Sequence, residues 1–211
     1  MKIKTKNTYK GTRILFREEA TQKRKLINKC IDILTSYGYE EISMPIIQYQ
    51  RTFANKVGGE NSNMMFNFKD RGGRDICLAP EYTAIVQQMS NDLFKYEKNV
   101  KMFYVSECFR GEAPQAGRYR QFTQFGVEVL NPSKEYHTEL IRIAEDIIKL
   151  STDNYEINTD AVRGLDYYVG GKGFEIACPE LGAQKQVCGG GSYQGGTGFA
   201  VGIDRLLMLK K

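Results

Sequence analysis

At 211 residues, with 41% hydrophobic and 26% charged residues, the chain has the make-up of one sizeable folded domain and not of a disordered or fibrous protein. A net charge of +5 tolerates a polyanionic partner such as a nucleotide or tRNA without demanding one, and no run approaches the roughly 18 consecutive apolar residues of a membrane helix. Five scattered cysteines with no C-x-x-C pair, and a single histidine, argue against a disulfide framework, a zinc site and His-dependent triads.

The N-terminus, Met1 to Lys6, is basic with no apolar segment behind it, so no signal peptide is expected and a cytoplasmic location is the default. Thr21 to Tyr37 then places Leu26, Cys30, Ile31, Leu34 and Tyr37 on one helical stripe, closed by Gly38, with Lys23-Arg24-Lys25 on its solvated face. A short strand over Glu41–Met44 stops at Pro45, and a helix is expected from about Gln48 to Val57, broken by Gly58-Gly59. "MMFNFKDRGGRDICLAP" reads as a hairpin around Asp-Arg-Gly-Gly. Helical spacing returns after Pro80. Val100 to Phe109 alternates as a strand, turns through Ala113–Gly117 and returns through Tyr119 to Leu130. A second amphipathic helix opens at Asn131-Pro132-Ser133 and runs to about Leu150, with Leu140, Ala144, Ile147 and Ile148 inward and His137 at the stripe's margin, in a packing or surface role. Short strands with glycine-rich turns follow from Tyr155, and Phe199 to Leu209 reads as a buried helix. Strands outnumber helices and their turns are short, so the fold class is α+β: one antiparallel sheet flanked by helices, a single domain over residues 1–211.

Four places put polar residues where a packed domain prefers apolar ones. They are Pro80-Glu81-Tyr82-Thr83, the stretch "FRGEAPQAGRYRQFTQFGVEVL" from Phe109 to Leu130, Arg163 to Tyr168, and Gly198 to Arg205. Period two sets Arg120, Phe122, Gln124, Gly126 and Glu128 on one side of a strand, and the glycine among them leaves a gap through which a ligand is expected to approach the backbone. Arg110, Arg163 and Arg205, from separate segments, suit a phosphate-bearing ligand because a guanidinium forks onto phosphate oxygens. Glu81, Gln124 and Glu128 suit an ammonium group or a ring N–H. Together these describe an amino acid meeting a nucleotide. Gly189-Gly190-Gly191 and Gly195-Gly196 match no phosphate-loop pattern and are read as tight turns and close backbone packing.

The same four places resemble the class II aminoacyl-tRNA synthetases, most closely the histidyl-tRNA synthetase family. "FRGEAPQAGRYRQFTQFGVEV" is similar to its motif 2, "RGLDYYVGGKGFE" to its histidine-specific segment and "GFAVGIDRLL" to its motif 3. "KGTR" (Lys10–Arg13) and "GYEEISMPII" (Gly38–Ile47) resemble its opening and motif 1 regions. The resemblance implies a class II catalytic core that joins histidine to ATP, with Mg²⁺ neutralising the leaving pyrophosphate and no metal held by the chain's own residues. It implies Arg110 on the α-phosphate and the histidine carboxylate, Glu112 and Arg118 on the nucleotide, Phe122 stacked on adenine and Arg205 at the γ-phosphate. Glu81, Thr83 and Gln124 would take the histidine ammonium, while Glu128 and the tyrosines Tyr167 and Tyr168 would line and read the imidazole site. Arg163 would be the cationic catalyst. Motif 1, here Tyr39 to Val57, implies a homodimer, and Ile42, Met44, Ile46, Ile47 and Phe53 lack an obvious internal partner.

Departures from the family pattern accompany the likeness. Only Asn131 to Val162 separate motif 2 from the histidine segment, where the family carries an insertion domain, and the chain ends directly after motif 3, where an anticodon-binding domain is expected. Ala113 replaces a motif 2 arginine, Ser192 and Gln194 stand where the family tends to have Arg and Asp, and Tyr82 replaces a glycine, which raises the expectation of a crowded amino-acid pocket. The leading expectation is a minimal histidine-activating core with tRNA or another molecule as acceptor. The alternatives are the histidine-sensing regulatory subunit of ATP phosphoribosyltransferase, a branch that tends to lose the catalytic arginines kept here, and a catalytic domain whose tRNA-binding parts are carried elsewhere.

Overall fold

A computed structural model describes residues 7–54, 56, 63–162, 168–182 and 184–209. Its elements in chain order are α1 (Glu18–Ser36), β1 (Glu40–Glu41), β2 (Ile47–Tyr49), β3 (Asn67–Lys69), β4 (Asp75–Leu78), α2 (Thr83–Asp92), β5 (Val100–Phe109) and β6 (Gln121–Leu130), then α3 (His137–Ile148), β7 (Glu156–Val162), β8 (Lys172–Ala177), β9 (Gln186–Tyr193), β10 (Gly196–Gly202) and α4 (Ile203–Leu206). Seven strands form one sheet in the order β1-β5-β6-β10-β9-β8-β7, antiparallel throughout except for the parallel β1–β5 pair. The architecture is α+β and mostly antiparallel, as the strand spacing predicted. A second sheet of three short strands, β2-β4-β3, stands apart from it, where one sheet was expected.

Alternation along the central strands separates the two faces of the large sheet. Phe103 and Val105 of β5, Phe125, Val127 and Val129 of β6, and Phe199 and Val201 of β10 point one way, onto α1 and α3. The apolar stripes of those helices, Leu26, Cys30 and Leu34 on α1 and Leu140, Ile143, Ala144 and Ile147 on α3, close this layer. Each fully buried Val, Leu, Ile or Phe among them contributes about 1.5–3 kcal/mol of transfer free energy, so this face carries most of the apolar burial. The opposite face bears Met102, Tyr104 and Cys108 of β5 against α2 and the small sheet, and next to them the polar or small residues Gln124, Gly126, Glu128, Gly198, Ala200 and Gly202. A cleft opens beside Gln124, where Ala200 and Gly202 lack bulk.

Helix α1 ends where Gly38 takes φ 76, with Tyr39 N–H bonded to Leu34 O at 3.0 Å, a left-handed cap that glycine adopts without strain. The helix expected over Gln48–Val57 is instead strand β2 and a single 3₁₀ turn over Gln50–Thr52, because Ile47–Tyr49 pair with Ile76–Leu78. The strand expected over Glu41–Met44 shortens to Glu40–Glu41. The buried helix expected over Phe199–Leu209 divides: Phe199–Gly202 are the end of strand β10, which runs between β6 and β9, and the helix is confined to the short α4. Gly189–Gly191 lie within β9 and not in a turn. A Cβ on Gly190 would sit 2.5 Å from Gly198 O and 2.6 Å from Phe199 Cβ, so the expectation of close backbone packing holds there. His137 opens α3 with its ring edge-on to Phe174 at 5.6 Å, and all five cysteines are buried thiols. Among the described residues no helix is long and apolar enough to cross a membrane.

Candidate active site

The cleft has a volume of about 500 Å³ and takes its walls from the β5–β6 hairpin, the start of α2, β9, β10 and α4. Of the residues expected at the site, Arg110, Glu112, Arg118, Phe122, Arg205, Glu81, Thr83, Gln124 and Tyr168 all line it. Arg163 and Tyr167 lie outside the described residues. Glu128 does not reach the wall. It sits directly behind Thr83.

The cationic end is assembled by the hairpin loop and α4. Gln115 and Arg118 exchange backbone hydrogen bonds at 3.0 Å around Gly117, whose φ of 73 permits the reversal. Arg205 gives Nε–H to Gly117 O at 2.9 Å, Nη2–H to Gln184 Oε1 at 3.2 Å and Nη1–H to Gln186 O, so one guanidinium ties the loop to the start of β9. Arg118 forms an ion pair with Glu112. Arg110 donates Nε–H to Pro80 O at 2.9 Å and lies 5.2 Å from the centre of the Phe122 ring. Among the described residues neither Arg110 nor Arg205 has a carboxylate partner. Burial, followed by the charges of Arg110 and Arg118, lowers the pKa of Arg205. Arg110, Arg118 and Arg205 crowd one end of the cleft, where the lining carboxylates Glu112 and Asp204 are taken by Arg118 and Arg13, an arrangement that an anion relieves.

The other end is acidic and buried. Glu81 Oε1 accepts the N–H of Ala84 at 3.0 Å in the first turn of α2. Glu128 accepts hydrogen bonds from Thr83 Oγ1 and Tyr193 Oη, each at 2.8 Å, and burial pushes its pKa up to about 8, partly offset by those two donors. The ring of Tyr168 lies over Gly191, where a Cβ would come within 2.8 Å of it.

Two sequence expectations about this wall are corrected. The gap at Gly126 is filled by protein: a Cβ there would stand 2.0 Å from Cζ of Tyr104. Tyr82 does not crowd the cleft. It is fully buried on the far side, donating its hydroxyl to Glu107 O at 3.1 Å and resting on the Tyr104 ring at 5.2 Å. Sequence reasoning also passed over Arg13 of "KGTR", which pairs with the buried Asp204 of α4 and lies 3.9 Å from the centre of the Tyr119 ring. Asp204 in turn accepts Thr123 N–H at 2.6 Å. Nothing but its place in that tetrapeptide marks Arg13 in the sequence.

Mg²⁺ finds no ready cage among the described residues. Among the described residues no three Asp, Glu, His or Cys side chains group together, and Glu112 and Asp204 are committed to arginines.

An antiparallel sheet with its hairpin loop folded over a cleft of arginines, and a short helix delivering a further arginine, defines a class II aminoacyl-tRNA synthetase catalytic core. The family model described as histidyl-tRNA synthetase matches residues 11–158, and the chain belongs to that family. The histidine–tRNA ligase of Methanosarcina acetivorans is 28% identical over 311 aligned positions, covering 96% of this chain and 75% of that protein. Those positions outnumber the 211 residues here, so that relative carries sequence with no counterpart in this chain. The crystal structure of apo S. aureus histidyl-tRNA synthetase superposes with a TM-score of 0.77 at 26% identity, over 94% of this chain and 68% of that one. A Bacillus halodurans structure described as an ATP phosphoribosyltransferase regulatory subunit/histidyl-tRNA synthetase shares the fold, with a TM-score of 0.74 at 16% identity over 98% of this chain and 84% of that one.

Proposed function

We propose that this chain activates histidine with ATP to give histidyl-adenylate and pyrophosphate. The observation that carries the reading is a single cleft with Arg110 and Arg205, unpaired with any carboxylate among the described residues, at one end and the buried Glu81, Thr83 and Gln124 at the other. In this reading a histidine carboxylate oxygen attacks the α-phosphorus of ATP, the P–O bond to the β-phosphate breaks, and pyrophosphate leaves. Arg110 neutralises charge on the α-phosphate and the incoming carboxylate, Glu112 and Arg118 hold the nucleotide, Phe122 stacks on adenine, and Arg205 holds the γ-phosphate end. Glu81, Thr83 and Gln124 receive the ammonium group. Tyr167 and Tyr168 line the imidazole site, with Glu128 supporting it through Thr83 and Tyr193. Arg163 supplies cationic stabilisation at the attacked phosphorus. Positioning and preorganised charge do the catalysis, without a covalent enzyme intermediate. Mg²⁺ arrives with ATP, and no residue role above depends on it.

The acceptor in this reading is tRNA or another nucleophile, and Ala113 in the hairpin loop favours activation over transfer by removing a cation at that point. A homodimer completes the proposal. Tyr49, Ile76 and Phe68 form one cross-strand row on the three-stranded sheet, and Ile46, Ile47, Tyr49 and Phe68 are exposed there, an apolar surface suited to a second copy. Met44 and Phe53, also expected at that interface, are instead buried within the chain, in one apolar cluster with Tyr82 and Cys77. The fold shared with the B. halodurans structure supports a second reading, a histidine sensor, but two arginines kept without carboxylate partners suit a phosphate substrate better.

Calorimetry tests the ligand assignment. Histidine and a non-hydrolysable ATP analogue should each bind, and Arg110→Ala should weaken the analogue at least tenfold. A protein that binds neither ligand, or whose Arg110→Ala variant binds the analogue unchanged, would overturn the reading.

A further inference from the structure

Gln124 is the one amide on the acidic wall, and an amide is ambiguous: turned one way it presents a carbonyl, turned the other an NH₂. Here it is held from behind by two residues that do not touch the cleft. Its Nε2–H is donated to Tyr104 Oη at 2.9 Å, and its Oε1 accepts the Cys108 thiol at 3.2 Å. Tyr104 is fully buried and absent from the cleft lining. It stands opposite Gly126 in the β5–β6 register, and its ring crosses that glycine to reach the residue two positions back on the same face. Any side chain at 126 would block that path. The gap in the strand therefore exists for the tyrosine, and the tyrosine ends on the amide.

We propose that Tyr104 is a positioning residue for amino-group recognition. By taking the NH₂ of Gln124 into the protein interior, it leaves the second lone pair of Oε1 turned to the cleft, where it accepts a hydrogen bond from the substrate's α-ammonium. Together with Glu81 and Thr83, this makes the wall select an α-amino acid over the isosteric α-hydroxy acid. A hydroxyl also donates, but with one proton and no charge, so it cannot serve a carbonyl, a carboxylate and a threonine oxygen together. The inference rests on the proposed activation of histidine and adds the origin of its selectivity for an amine.

The test compares histidine with its α-hydroxy analogue, imidazole-lactate, in ATP–pyrophosphate exchange and in calorimetric binding, for the wild type and Tyr104→Phe. The substitution keeps the ring over Gly126 and removes only the hydroxyl. The expected result is a rise of about tenfold in KM for histidine, the scale of one lost hydrogen bond, with KM for ATP unchanged. The preference for histidine over imidazole-lactate should fall by a similar factor, because the freed amide can turn its NH₂ to the cleft. A merely structural role for Tyr104 would shift thermal stability and leave that preference intact, which overturns the inference. Cys108→Ala, which removes only the weak thiol donor, should change the preference by less than Tyr104→Phe, and the reverse order would also count against it. Wild type that binds histidine and exchanges pyrophosphate, alongside an unaltered Tyr104→Phe, refutes this inference alone. Wild type that binds no histidine refutes the proposed function and this inference with it.

Discussion

Replacing Glu128 by glutamine should flatten the dependence of stability on pH. The carboxyl group is buried, and its pKa rises from an ordinary 4.5 to about 8 in the folded chain, chiefly through desolvation. Below about pH 4.5 it is protonated in both folded and unfolded states and contributes no slope. Between 4.5 and 8 the unfolded chain releases the proton while the folded chain retains it, so folding stability falls as pH rises. Above 8 both states are ionised, and the full cost of a buried carboxylate is present. At about 1.4 kcal/mol per unit the loss across this window reaches up to about 5 kcal/mol. Glutamine cannot ionise, yet it retains a carbonyl for one of the Thr83 and Tyr193 hydroxyls and an NH₂ for the other. Urea denaturation at pH 5, 7 and 9 measures the difference directly: the wild type should lose several kcal/mol relative to Glu128→Gln between the extremes. Parallel pH profiles would show that Glu128 ionises freely in the fold and that the burial argument is wrong.

Gly198→Ala should destabilise by about 1–3 kcal/mol or prevent folding, since the added Cβ would meet Glu128 Oε2 at 1.9 Å and the Val127 carbonyl at 2.4 Å; a melting temperature equal to wild type would contradict it. Arg205→Ala removes the three bonds that tie the hairpin loop to the start of β9, and should raise KM for ATP more than tenfold with a smaller effect on histidine, as measured by exchange kinetics. Arg163→Ala should lower the exchange rate by about 10²–10³-fold, the scale of one lost electrostatic contact, while leaving ATP binding largely intact. Light scattering should report a dimer at micromolar concentration, and Phe68→Asp, placing a charge in the exposed row of the small sheet, should shift it to monomer.

Elements whose pattern has one period were legible in the sequence. The α1 and α3 stripes, the β5 and β6 alternation and the loop between them all lie within a few residues of their expected bounds, the helices because each buries a single face. Strand β10 was not legible, because its cleft-side positions Ala200 and Gly202 are small and not polar, so no apolar–polar alternation marks it. Strand β2 is three residues long and exists only because β4 lies beside it, so no local signal distinguishes it from helix. Within the site, Arg110, Glu81 and Gln124 were recognised as polar groups in apolar surroundings. The roles of Arg13 and Tyr104 depend instead on partners 191 and 20 residues away, visible only after the chain has folded. The glycine at 126 was noticed for the right reason and given the wrong occupant, since sequence shows an absent side chain but not what fills its place.

Histidine-dependent exchange of labelled pyrophosphate into ATP, run without tRNA on protein shown to bind histidine, separates a catalyst from a sensor. Exchange should require histidine, fail with other amino acids and be lost in Arg110→Ala. Histidine binding with no exchange would contradict the proposed activation and identify the cleft as a sensor of histidine, not a catalyst of its activation.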